Sequence, residues 1–209
     1  MYTPPHFAEH DPDAIAALIE GARLGLLVTH GPQGLYATHL PFLHDRERNR
    51  LVGHIARANP HPARAGDDDA LVVLTGPEAY VSPAWYPSKA ADGRQVPTWN
   101  YEAVHLYGRL QWFDDPARLL EVVRRLSDRH ERGRAEPWSV DDAPADYVER
   151  LLRGIVGVEL HVTRVEAKRK MSQNKPESDR SGVVEGLASS PDPRDRLVAD
   201  AMRRRVDGT

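Results

Sequence analysis

YEAVHLYGRLQWF, residues 101–113, and IVGVELHVTRVEAK, residues 155–168, are the two runs that decide the fold. Both are rich in β-branched and aromatic residues, contain no proline and alternate polar with apolar positions, which is the signature of long strands. Outward from them the same pattern recurs. RLVGHIA (50–56), LGLLVTH (24–30), LYATHLPFL (35–43), ALVVLT (70–75) and EAYVS (78–82) read as further strands, with GPQG closing a hairpin between the second and third of these. Helices are few. Asp11 before Pro12 starts one that runs to Gly21; a second fits 116–132, capped by Asp114 or Asp115, with Leu119, Leu120, Val123 and Leu126 as its apolar face; a third fits 145–152. Strands that do not alternate with helices predict a mainly β chain, an antiparallel barrel with peripheral helices. A doubly wound α/β fold is disfavoured, and neither GxGxxG nor GxxxxGK[ST] occurs.

With 209 residues, 40% of them hydrophobic, the chain fits one domain with an appendage. The absence of cysteine excludes disulfides, Cys-zinc sites, iron–sulfur clusters and thiolate catalysis. MYTPPHFAEH at the start lacks a basic region followed by an apolar run, no window holds eighteen apolar residues, and the expectation is a soluble cytoplasmic protein without membrane contact. The 28 basic and 31 acidic residues leave a net charge of -3, which does not support DNA binding through a global field. Local basic groups remain at Lys168, Arg169 and Lys170 and at Arg203, Arg204 and Arg205; both also suit solvated faces or a helix end.

A boundary is expected near residue 170: a barrel domain over 1–170, then a polar tract and two short amphipathic stretches, 182–188 and 193–206, forming a helical extension over 171–209 that packs on the barrel or on a partner chain. The segment 83–100, PAWYPSKAADGRQVPTWN, is too irregular for an element and too aromatic for a disordered linker, which predicts an ordered functional loop.

The segment GHIARANPH, residues 53–61, carries the chemistry. A strand running into Asn59-Pro60 can open a helix there, and free N–H groups at such a turn suit a phosphate, with His54, Arg57, Asn59 and His61 as further donors. Ten histidines raise the question of a metal, but HExxH is absent, and the five-residue step from His39 to His44 sends their side chains to opposite faces of a strand; no metal site is expected. Ser82, Ser88 and Ser172 lack a G-x-S-x-G context. What remains is a binding constellation of small, polar and aromatic groups: Thr38, His39 and Pro41, then His54, Arg57 and Asn59, then Trp85, Lys89, Trp99, Asn100 and Tyr101. Aromatic faces beside single cations suit a flat phosphorylated cofactor, while Trp85 and Trp99 equally suit the sealing of a barrel end.

THLPF (38–42), GHIARANPH (53–61), AYVSPAWYPSK (79–89), VPTWNYEAVHLYG (96–108), and GIVGVEL with KRKMSQNKP toward the end, together with the opening MYTPPHF, resemble the PaiB-type FMN-binding negative transcriptional regulators of bacteria over nearly the whole chain. The resemblance implies an FMN-binding split barrel, related in fold to pyridoxamine phosphate oxidases and flavin reductases, working as a homodimer with flavin near the subunit interface. By that pattern Thr38, His39, Leu40 and Pro41 border the flavin ring, and His54, Ile55 and Ala56 run beside it. Ala58, Asn59 and His61 take the phosphate with Arg57; Trp99, Asn100 and Tyr101 approach from the second subunit; and Lys168 and Lys170 are basic candidates from the last strand. Pyridoxamine phosphate oxidases surround the phosphate with Arg and Lys, whereas this turn has only Arg57. The implied role is a negative transcriptional regulator or flavin-linked sensor. The alternative is a flavin-dependent oxidoreductase or a haem-binding or haem-degrading enzyme, since related split barrels include such activities.

Overall fold

The two deciding runs are both sixteen-residue strands in the computed structural model, which describes residues 1–66 and 69–206: β7 spans Thr98–Phe113 and β8 spans Ile155–Lys170. The other elements in chain order are β1 (Ala8–Glu9), α1 (Pro12–Gly21), β2 (Gly25–Gly31), β3 (Gly34–Leu40), β4 (Leu43–Asp45), β5 (Arg50–Ala56), α2 (His61–Arg64), β6 (Ala70–Val81), α3 (Lys89–Asp92), α4 (Pro116–Glu131), α5 (Ala145–Leu152), α6 (Glu177–Ala188) and α7 (Pro193–Val206). The strands form one sheet in the order β3-β2-β6-β7-β8-β5-β4, with β1 on β8. The expected mainly antiparallel class is what forms, with helices flanking the sheet.

Three boundaries differ from the sequence reading. LYATHLPFL breaks into β3 and β4 because Pro41 has no N–H to give to a ladder. ALVVLT and EAYVS join into one strand, β6, that continues through Gly76-Pro77. The segment 83–100 is built from a 3₁₀ turn (Pro83–Trp85) and α3, and its last three residues already belong to β7. The two-residue strand β1 is too short to carry a period and escapes detection in sequence; it pairs Ala8 with Lys168.

By its contacts the chain divides into two units. One comprises 1–18, 75–104 and the chain from 166. Its core joins Ala79 and Val81 of β6 to Tyr86, Met171, and the inner faces of α6 (Val183, Leu187) and α7 (Val198, Met202). Gly182 and Gly186 make this packing close: a Cβ on Gly186 would lie 2.4 Å from the Trp85 indole, and one on Gly182 would lie 2.2 Å from the Trp85 carbonyl oxygen. Asp179, fully buried, accepts from both the backbone N–H (3.0 Å) and the hydroxyl (2.7 Å) of Ser88, tying the aromatic segment to α6.

The other unit comprises 19–74 and 105–165. Asp115 caps α4 by accepting from Arg118 N at 2.8 Å, and the helix seats Leu119, Val122 and Leu126 on Leu43, Val52 and Phe113. Beneath it Glu159, almost fully buried, accepts from Arg50 (2.7 Å) and Arg118 (2.6 Å), and Arg50 also donates to buried Asp45 (2.9 Å). Charges this deep are tolerated because each is paired and hydrogen-bonded.

Candidate functional site

The hairpin β2–β3 closes through Pro32 and Gln33, with Gly31 opposite Gly34 as its last pair. In an antiparallel ladder, alternate residues turn their N–H and C=O groups toward the partner and away from it. Counting from the closing pair, Leu35, Ala37 and His39 turn theirs away from β2, and β3 ends the strand order, so this edge is open among the described residues. Side chains alternate too. Leu35, Ala37 and His39 are exposed, while Tyr36, Thr38 and Leu40 point to the packed face.

On that packed face a polar chain runs from the site into the core. Asn59 Oδ1 accepts from His61 N at 2.9 Å, which turns its Nδ2 toward Thr38 Oγ1 at 3.3 Å. Thr38 Oγ1 lies 2.7 Å from His61 Nδ1, and His61 Nε2 lies 3.0 Å from Thr29 Oγ1. The imidazole is 0% exposed, edge-on to Tyr36 and tilted against Trp112. Burial lowers its pKa, so the ring is neutral near pH 7. Thr38, Asn59 and His61, three of the expected residues, are thereby brought together at the end of the open edge.

Others are placed elsewhere. Arg57 donates through Nε to the Arg153 carbonyl (2.8 Å) and through Nη2 to the Ile155 carbonyl (2.9 Å), so its guanidinium fastens the start of β8 rather than facing the turn. Most of the N–H groups expected at the turn are also spent: Arg57 N reaches Gly154 O, Asn59 N reaches Ala56 O, His61 N reaches the Asn59 side chain, and Ala63 N and Arg64 N reach Pro60 O. Proline at 60 and 62 supplies none, and Ala58 is an exposed residue of the turn. His54 lies opposite Gly157, over which the Phe113 ring sits, whereas a Cβ on Gly53 would meet Leu40 and the Pro41 carbonyl. His54 therefore occupies the face of β5 away from Leu40 and Pro41, its Nδ1 buried without a partner and its pKa lowered by burial. Ile55 is buried and Ala56 exposed at the end of the strand.

In the first unit the remaining candidates have structural partners. Asn100, 0% exposed, donates to Ser172 Oγ at 3.0 Å. Lys168 is buried, donates to the Tyr2 carbonyl at 3.1 Å and sits 5.0 Å from the Tyr101 ring centre. Lys170 donates to Thr98 Oγ1 (2.5 Å) and to the Trp99 carbonyl; burial, with Lys168 and Lys175 nearby, lowers its pKa. Arg169 pairs with Glu102 and Glu9. The basic run 168–170 is thus engaged within the fold. Arg203 pairs with Asp200, and the side chain of Arg205 lies outside the described residues. Trp99, 54% exposed, meets Tyr80 edge to face.

The sequence reading missed Tyr36, Thr29 and Arg64. Arg64 stands three residues beyond His61 on α2, exposed, with its guanidinium 4.9 Å from the Tyr36 ring centre and no carboxylate paired with it among the described residues. Its spacing from His61 was the available signal. Among the described residues no cluster of His, Cys, Asp and Glu could hold a metal, and no helix is long and apolar enough to cross a membrane.

A flavin mononucleotide fits this surface: the open β3 edge offers both donors and acceptors, Thr38 adds a hydroxyl, and Arg64 adds a cation that no carboxylate among the described residues pairs with. Comparison with known proteins shows the family. Residues 1–164 match the family described as "Putative FMN-binding domain". The chain is 31% identical over 209 residues to Protease synthase and sporulation protein PAI 2 of Bacillus subtilis, covering 99% of this chain and 98% of that one. In structure it is similar to the conserved hypothetical protein Rv2991 of Mycobacterium tuberculosis (TM-score 0.61, 14% identity, 85% of this chain and 95% of that one). It is also similar to the flavocytochrome Anf3 of Azotobacter vinelandii (TM-score 0.59, 16% identity, 84% and 75%).

Proposed function

Because this chain belongs to the FMN-binding domain family, of the split-barrel fold, we propose that it holds FMN along the open edge of β3, with Thr38, His39 and Pro41 beside the ring and Asn59 and Arg64 drawing the phosphate. FMN supplies one- and two-electron redox chemistry when bound. The observation that carries the placement is the bonded set Asn59, Thr38 and His61, which fixes a polar corner where an unpaired strand edge meets a turn. Arg64 takes the charge-pairing role expected of Arg57, because no carboxylate among the described residues pairs with its guanidinium and Arg57 is spent on carbonyls.

The biological role proposed is that of a flavin-linked regulator or sensor, working in the cytoplasm as a homodimer. A second copy would cover the outer face of β2, β3 and β6, where Leu26, Val28, Leu35, Ala37, Leu71 and Val73 form an apolar surface with Leu35 76% exposed. Supporting this role, the corner presents groups suited to binding and orienting a ligand, the Thr38 hydroxyl and the Asn59 amide, backed by the buried His61 imidazole and Thr29 hydroxyl. A second reading, a flavin- or haem-dependent oxidoreductase, rests on His39, exposed on β3 next to Thr38. An absorbance spectrum of the purified protein with added FMN or haemin separates them. Flavin bands that shift on binding without bleaching by NADH or NADPH support the regulator; rapid bleaching, or a Soret band lost on His39→Ala, supports the enzyme.

A further inference from the structure

The hydrogen-bond lengths around His61 assign its tautomer, and with it the polarity of Thr38. Asn59 Oδ1 is committed to His61 N, so Asn59 gives an N–H to Thr38 Oγ1. The 2.7 Å separation of Thr38 Oγ1 and Nδ1 suits a hydroxyl donor, whereas the 3.0 Å separation of Nε2 and Thr29 Oγ1 suits a ring N–H donor. A neutral ring carries one proton, and this pattern puts it on Nε2.

We propose that His61, held as the Nε2–H tautomer by Thr29, is a positioning residue that draws the Thr38 proton inward and leaves Thr38 Oγ1 facing the site as an obligate hydrogen-bond acceptor. Thr38 has given its only proton to His61 and received one from Asn59, so one lone pair remains for a ligand N–H. The corner therefore selects a ligand edge that presents a donor, such as the imide edge of an oxidised flavin, over one that presents a carbonyl. Burial favours this arrangement, because a ring at 0% exposure between two threonines stays neutral and cannot donate to both. Thr29 is itself buried and points to the same face of the hairpin as Thr38, out of reach of the open edge, so its effect on a ligand is transmitted through His61.

The inference rests on the FMN reading, and the experiment separates the two. Long-range proton–nitrogen NMR of the full chain without flavin reads the His61 tautomer directly. FMN titrations are then made on the natural chain, Thr29→Val and Thr29→Ser. The expected result is a proton on Nε2, FMN affinity about tenfold weaker in Thr29→Val, and recovery in Thr29→Ser, the size expected for a misdirected hydrogen bond. Thermal unfolding of the same variants separates loss of fold from loss of orientation, since a solely structural Thr29 would lower the melting temperature and leave the FMN affinity of the folded protein unchanged. A proton on Nδ1, or equal FMN affinity in the natural chain and Thr29→Val, overturns the inference. Absence of FMN binding by the natural chain overturns the functional reading whatever the tautomer.

Discussion

The guanidinium Nη2 of Arg57 donates to the carbonyl of Ile155 at 2.9 Å, so the one arginine in GHIARANPH is a clamp on the first residue of β8. Arg57→Ala should lower stability by about 1–2 kcal/mol, the loss of two charge-assisted bonds at a half-exposed site, and should leave FMN affinity within about threefold. Arg64→Ala should do the reverse, weakening FMN by about ten- to a hundredfold with little change in melting temperature. Paired thermal melts and FMN titrations check both.

The Trp85 indole covers Gly186 of α6, and the Trp85 carbonyl oxygen approaches Gly182. A methyl at 186 cannot be accommodated 2.4 Å from the indole without moving it, so Gly186→Ala should destabilise by about 1–3 kcal/mol despite the better helix propensity of alanine. Thermal melting and Trp fluorescence report it. An exposed control, Glu185→Ala, should change stability by less than about 0.5 kcal/mol.

Glu159 holds Arg50 and Arg118 in the base of the other unit. Glu159→Ala removes two charge-assisted bonds and leaves Arg50 with Asp45 alone, and should cost about 2–4 kcal/mol, a large share of the stability of an ordinary domain. Soluble yield and urea unfolding measure the effect; an unchanged unfolding midpoint contradicts the proposed pairing.

Acid should unfold the protein in two stages. Burial lowers the pKa values of His44, His54 and His61 below 6.5. The unfolded chain therefore binds these protons first, and stability falls as pH drops below about 6.5 toward the folded values. Asp179 is held below its usual 3.8 by its bonds to Ser88, against burial. Its contribution is complete above the unfolded value and is lost as pH falls through the lower folded value. Melting temperature against pH should thus decline first as pH falls below about 6.5 and again below about pH 4. His61→Gln should flatten the first limb and Asp179→Asn the second.

The architecture was largely legible because β7, β8 and α4 are long and strongly patterned. Their alternation and apolar spacing survive any tertiary adjustment at the ends. The motifs likewise located Thr38, Asn59 and His61. What sequence could not supply was direction. His54 and Gly53 are neighbours, yet one faces the Phe113 side and the other Leu40, a parity fixed by register with β8. Arg57 seemed poised for a phosphate because the carbonyls of Arg153 and Ile155 that hold it lie nearly a hundred residues away. Asn100, Lys168 and Lys170 seemed available for the same reason, their partners being brought to them by long-range strand pairing and by the C-terminal helices. Arg64 went unnoticed because its meaning comes from Tyr36 on another element.

Equilibrium titration of FMN into the purified chain, followed by quenching of flavin fluorescence and repeated with Thr38→Val, Arg64→Ala and riboflavin, tests the central claim most directly. The account predicts saturable FMN binding that weakens by about tenfold or more in each variant. Riboflavin should bind more weakly than FMN and be insensitive to Arg64→Ala, because it lacks the group that Arg64 pairs with. Absence of FMN binding, or binding that Thr38→Val and Arg64→Ala both leave intact, would contradict it.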